Sequence, residues 1–219
     1  MMLFILLLFF FAQNTNADLS CPFESCSSTY NSSGCTILCE SQDFPPKSQM
    51  IDNRIFKLSF TNLKNIPKDA FEGLKITTLE IECQNVEFVD EKAFSNVQKL
   101  DNLILSNVKN FSIFSDKIQI LSNITLEFSV SNAGLTETSV VSFLESLKTW
   151  KKLKSLSITN NHLVHFKYDF NVFFHNLKTL TISHNSIEIF DIKCHNLSTL
   201  NIYNNQITKL DKEMLLNLP

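Results

Sequence analysis

The chain has 219 residues, 44% of them hydrophobic and 19% charged, so it is long and apolar enough to bury a core and lacks a disordered composition. Its net charge of −3 excludes the basic face of a nucleic-acid binder. Its only glycines, Gly34, Gly73 and Gly134, cannot build a Gly-rich phosphate loop, which excludes the common nucleotide-binding motifs.

Residues 3–12 read LFILLLFFFA, a run too short to cross a bilayer comfortably but of signal-peptide length. Thr15-Asn16-Ala17 supplies a small-residue cleavage site. Residues 1–17 are therefore predicted to be a signal peptide, with a secreted, extracellular chain starting near Asp18; an uncleaved N-terminal anchor is the alternative. No other stretch is apolar enough to span a membrane.

Residues 18–52 hold Cys21, Cys26, Cys35 and Cys39, a density that reads as a disulfide module in a secreted chain. Their C-x4-C-x8-C-x3-C spacing lacks the C-x2-C knuckles usual for zinc. Three pairings are open. Secretion gives meaning to four N-x-S/T sequons, at Asn31, Asn110, Asn123 and Asn196.

Residues 53–219 repeat. LKSLSITNNHLVHF (153–166), LKTLTISHNSIEIF (177–190) and LSTLNIYNNQITKL (197–210) share the frame L-x-x-L-x-L/I-x-x-N-x-L/I-x-x-F/L, the leucine-rich repeat pattern. Upstream, 56–71 and 79–94 align so that Ile66 matches Val89 and Phe71 matches Phe94. Irregular copies start at Leu100 and Phe128, giving about seven repeats of 20 to 30 residues. Each L-x-L is expected to form a short strand with alternate side chains inward. Asn161, Asn185 and Asn205 are expected to bond the backbone of neighbouring turns. Phe71, Phe94, Phe166, Phe170, Phe174 and Phe190 are expected to stack as an apolar spine behind the strands. Within 138–150, Val140, Val141, Leu144 and Leu147 fall at helical spacing. This predicts a convex-side helix capped at Thr138, or by Ser142 with Glu145, with Trp150 packed at its end.

The frame names the outward strand positions: Ser157 and Thr159, Thr181 and Ser183, Asn201 and Tyr203 near the C-terminus, and an acidic group of Glu80, Glu82 and Asp101 upstream. The acids favour a basic partner surface, and Tyr203 is the strongest anchor candidate. No catalytic set, metal site or cofactor site is assigned. His162, His165, His175, His184 and His195 are scattered, and His162-x2-His165 has no third ligand nearby. Asp191, Cys194 and His195 are assigned to a solvated loop. Cys83 and Cys194, four strands or roughly 19 Å apart, are too distant to pair. Cys194 is left for a further segment, another chain or a free thiol.

The CPFESC…CTILCE segment, IPKDAFEGL, VDEKAFSNV and the repeats resemble the extracellular leucine-rich repeat family over residues 21–218, in its Toll-like and chaoptin-like branch. The Phe-rich start is also similar to secreted arthropod proteins named for the non-catalytic subunit of Oplophorus-luciferin 2-monooxygenase. The resemblance implies an α/β solenoid: a right-handed horseshoe with parallel strands on its concave face and a cysteine-rich N-terminal cap. The family's C-terminal cap is missing where the sequence stops at LLNLP. An incomplete chain, an open end that docks a partner or a second copy, and a plug of Met214, Leu215 and Leu218 are the three readings. The implied function is recognition of a protein partner, or a glycan, on the concave face. The alternative is a non-catalytic stabilising subunit of a secreted enzyme complex.

Overall fold

A computed structural model describes residues 21–23, 25–48 and 54–210; residues 1–17 and the 214–218 segment lie outside them. The first elements among the described residues are a hairpin of β1 (Ser27–Asn31) and β2 (Gly34–Cys39). Gly34 is required here. Its φ is +117°, and a Cβ would stand 2.6 Å from the carbonyl oxygen of Arg54. Cys21 is bonded to Cys35 and Cys26 to Cys39, which settles the three open pairings. The buried Phe23 ring meets Phe44 and Phe60 edge-on, at 5.9 and 6.4 Å between centroids.

From β2 the sheet runs on in parallel. The repeat strands are β3 (Arg54–Phe60), β5 (Lys75–Glu82), β7 (Lys99–Ser106), β8 (Glu127–Ser131), β9 (Ser155–Thr159), β11 (Thr179–Thr181) and β13 (Thr199–Asn201). With the hairpin they make one nine-stranded sheet in the order β1-β2-β3-β5-β7-β8-β9-β11-β13. Period-two alternation produces its two faces. Leu58, Leu79, Leu103, Phe128, Leu156, Leu180 and Leu200 stand in one register row, facing the core. Their neighbours one residue on face solvent.

The back of the molecule is mixed. β4 (Asn65–Ile66) pairs with β6 (Phe88–Val89), placing Ile66 beside Val89. β10 (His165–Asp169) pairs with β12 (Ile189–Lys193), placing Phe166 beside Phe190. Between these pairs lie α1 (Ser112–Ser115), a 3-10 turn at Lys117–Asn123 and α2 (Glu137–Ser146). α2 starts one residue earlier than the expected span and ends four residues sooner. Its cap is Thr136, whose backbone N–H donates to Ser139 Oγ at 2.8 Å, rather than Thr138 or Ser142. Val140, Phe143 and Leu144 point inward, whereas Val141 is exposed. Trp150 is buried behind it, stacked 5.2 Å from Phe128, and its Nε1–H donates to Gln119.

The core fills the space between sheet and back, and aromatic rings make much of it. Phe71 stacks on Phe94 at 5.2 Å and Phe166 on Phe190 at 5.8 Å; Phe170 and Phe174 continue the second stack. Each such buried ring contributes about 1.5–3 kcal/mol by leaving water.

Behind the strand ends runs the asparagine ladder. Asn185 Oδ1 accepts the N–H of Asn161, and its Nδ2 donates to the carbonyls of Ile158 and Ser183. Asn161 accepts from Ala133 and Leu135, and Asn205 accepts from Ile187 and donates to Ile182. Each closes backbone groups of the preceding turn that burial would otherwise leave unpaired. In the second repeat Cys83 does this work. The Leu63 N–H donates to its sulfur at 3.2 Å, and the thiol donates to the Phe60 carbonyl at 3.4 Å. Phe60 lies in the register row of Ile158, so thiol and amide serve equivalent groups.

Candidate interaction surface

The solvent face of the main sheet collects the outward strand positions. One register row runs Ser59, Glu80, Ile104, Ser129, Ser157, Thr181, Asn201. A second runs Glu82, Ser106, Ser131, Thr159. Hydroxyl and amide groups dominate both. Ile104, an apolar interruption at the middle of the first row, was absent from the sequence reading; the register finds it because β7 carries apolar residues on both faces.

Ser157, Thr159, Thr181 and Asn201 are half-buried in their rows, and Tyr203 is 52% exposed at the end of the face. The Tyr203 ring meets His184 edge-on at 4.8 Å. Ser183 is not outward. It is fully buried, and its hydroxyl has no hydrogen-bond partner among the described residues. β11 ends at Thr181, so the alternation that would have turned Ser183 to solvent stops before it.

The acids do not form a bare acidic patch. Lys57 Nζ lies 2.8 Å from Glu80 Oε2, which also accepts from Ser59 Oγ at 3.0 Å. Partial burial pushes the Glu80 carboxyl up, but the ammonium and hydroxyl outweigh it and hold its pKa below the ordinary carboxylate value. Asp101 lies at the start of β7 and pairs with Lys99 at 2.8 Å. Glu82 alone has no ammonium partner among the described residues; it accepts from the Asn107 amide at 2.8 Å.

Glu82 opens a shallow depression of about 550 Å³ that runs over Asn107, Asn132 and Asn160. These asparagines follow the strand ends at φ of 56°, 49° and 53°, a left-handed conformation that asparagine tolerates better than most residues. Their amides form a relay. Asn132 Nδ2 donates to Asn107 Oδ1 at 2.6 Å, Asn107 to Glu82, and Asn160 to Ser131 Oγ at 3.1 Å.

The residues considered for chemistry do not converge. All five histidines are exposed, and His165 Nδ1 lies 2.9 Å from Glu137. Among the described residues no three His, Cys, Asp or Glu side chains are arranged to hold a metal. The Asp191–Cys194–His195 segment is not a solvated loop: Asp191 lies within β12, 2.8 Å from Lys167, and Cys194 is buried. Burial pushes the Cys194 thiol up, the reverse of an activated thiolate, and takes it out of reach of another chain. Cys83 is likewise buried and free, with its thiol pushed up to about 11 by desolvation.

The four sequon asparagines are exposed, and all lie outside the seven repeat strands. Among the described residues no helix is long and apolar enough to cross a membrane.

No protein-family model and no curated protein matches the chain. Among solved structures, human 5T4 (Wnt-activated inhibitory factor 1, trophoblast glycoprotein) matches with a TM-score of 0.60 at 17% identity, over 85% of this chain and 81% of that one. The chain therefore shares the fold of 5T4, a leucine-rich repeat solenoid with N-terminal disulfides.

Proposed function

We propose that this chain is a secreted, non-catalytic recognition protein that binds a protein partner, or a glycan, through the solvent face of its main sheet. On this reading residues 1–17 are a signal peptide and the disulfide-bonded hairpin is the N-terminal cap of a right-handed horseshoe. The solvent face is its concave surface. The segments IPKDAF and VDEKAF support the Toll-like and chaoptin-like branch. The name of 5T4 includes "glycoprotein", and we carry the same expectation to Asn31, Asn110, Asn123 and Asn196.

One observation carries the reading. Seven repeat strands in continuous parallel register present a broad polar face, and no sequon interrupts it. Many weak contacts across such a face add to useful affinity, with Tyr203 as the anchor. The non-catalytic part rests on the dispersal of the histidines and the burial of both free thiols.

Site-specific photo-cross-linking tests it. A cross-linking residue at Thr159 or Tyr203 on the natively secreted protein should capture the partner, and one at Val172 on the back should not. Capture from Val172 alone would sink the proposal. A captured enzyme chain held in fixed ratio would make the protein a stabilising subunit instead, and turnover by the purified single chain would end the non-catalytic reading.

A further inference from the structure

A groove of about 420 Å³ opens on the back of the molecule between α1 and α2, a volume in the range that holds small ligands. Its floor is the edge-to-face pair Phe111 and Phe143, with centroids 4.9 Å apart. Ser115, Ser142 and Ser146 set hydroxyls around it. Lys109 and Asp116 are its only charged residues, one of each sign. An aromatic floor under a neutral hydroxyl rim suits a ring that is apolar on its face and hydroxylated at its edge, which is the chemistry of a sugar.

The chain carries an attachment point for such a ring on the groove's own rim. Asn110 lines the groove and begins the sequon Asn110-Phe111-Ser112, whose middle residue is part of the floor. Asn110 is exposed. Its Oδ1 accepts both the N–H of Ser112 at 3.1 Å and the Ser112 hydroxyl at 2.7 Å. Its Nδ2 donates to no described residue. At Asn196, by contrast, Nδ2 donates to the His175 carbonyl at 3.0 Å.

We propose that Asn110 bears an N-linked glycan whose first sugar lies in the groove over Phe111 and Phe143, so that the chain binds its own glycan. The inference rests on the secretory reading above. In the covalent step Nδ2 forms a bond to the anomeric carbon of a glycosyl pyrophosphate donor. The carbon–oxygen bond to pyrophosphate breaks with its electron pair leaving on oxygen, and Nδ2 loses a proton to the medium. Once seated, the sugar covers what little of the two rings solvent still reaches, 7% of Phe111 and 3% of Phe143, and fixes α1 against α2.

The test is release of glycans by an amidase that cleaves the sugar–asparagine bond, followed at each sequon by peptide mass spectrometry on the protein secreted from eukaryotic cells. The expected result is that Asn110 is occupied and is released about tenfold more slowly from the native protein than from the denatured one, while any other occupied sequon shows a smaller ratio. Ser142→Trp, which fills the groove from an exposed helix position, should abolish the protection and leave far-ultraviolet circular dichroism and the melting temperature unchanged. Two results overturn the proposal while secretion stands: an empty Asn110 beside other occupied sequons, or an occupied Asn110 released as quickly as the rest. Protection that persists in Ser142→Trp also overturns it. A chain that is retained in the cell with no sugar at any sequon overturns the secretory reading, and this one with it.

Discussion

The backbone N–H of Leu63 donates to the sulfur of Cys83 across 3.2 Å, and the sulfur accepts where Asn161 Oδ1 accepts from Ala133 and Asn185 Oδ1 from Asn161 in the later repeats. The same sulfur donates onward to Phe60, so one thiol closes two buried backbone groups. Removing it leaves both unpaired.

Cys83→Ala should therefore destabilise the protein by about 2–4 kcal/mol, from two unsatisfied polar groups and a small cavity, while Cys83→Ser should lose less because a hydroxyl can serve both partners. Urea unfolding of the three proteins measures this. An alanine variant as stable as the parent would show that the thiol carries no such duty.

The Cys83 thiol also sets an alkaline limit. Its folded pKa of about 11 lies above the ordinary 9.0, so the folded state holds the proton more tightly than the unfolded chain. That stabilisation is full below pH 9 and is lost as pH rises toward 11. A parent protein that loses stability over this window, beside a Cys83→Ser variant with a flatter profile, is the expected pair of curves. Thiol reagents at pH 8 should label neither Cys83 nor Cys194 until the protein unfolds, because both are buried. Rapid native labelling would contradict the burial.

Asn185 makes three hydrogen bonds in its buried site. Asn185→Ala should cost about 3 kcal/mol or more. Asn185→Asp, nearly identical in shape, should not rescue it, since a carboxylate cannot donate to the Ile158 and Ser183 carbonyls. Equal stability of the aspartate variant and the parent would show that shape, not donation, is what this position needs.

Lys57 and Ser59 hold the Glu80 carboxyl below its ordinary pKa against the opposing effect of burial. Lys57→Ala should leave burial less opposed and move the Glu80 titration upward, visible by NMR. A depressed folded pKa contributes stability above the unfolded value that fades as pH falls through the folded one. Acid destabilisation should therefore weaken in the Lys57→Ala variant. An unmoved Glu80 titration would mean that the 2.8 Å ion pair does not persist in water.

Peptide mapping without reduction should recover Cys21 linked to Cys35 and Cys26 to Cys39. Replacing all four by serine should cost several kcal/mol, about 2–5 per bridge. A map with any other linkage would overturn the arrangement of the hairpin.

Much of this was legible in the sequence. The L-x-L frame marks the repeat strands, and the upstream alignment by itself puts Ile66 beside Val89 and Phe71 against Phe94. What escaped it depends on contacts between turns. The sulfur of Cys83 reaches the ladder from a residue one place closer to its strand than the asparagines, so the frame does not mark it. Helical periodicity locates the buried side of α2 but is indifferent to where the helix begins, so Thr136 was missed as its cap. Grouping Glu80 with Asp101 overlooked Lys57, on the neighbouring strand, and Lys99, two residues away, because charge composition carries no register. Ser183 was placed outward by extending an alternation past the end of a three-residue strand.

The change from strand to helix along the back has a geometric consequence. Strands sit about 4.8 Å apart, whereas a helix with its side chains is about 10 Å wide. Where β4 meets β6 and β10 meets β12, strand pairs on the back match the strand spacing of the front. Where the Lys117–Asn123 turn and α2 take the place of such pairs, the back needs more room per turn than the front. Curvature is therefore expected to concentrate behind β7, β8 and β9, the strands whose ends carry the shallow depression over Asn107, Asn132 and Asn160.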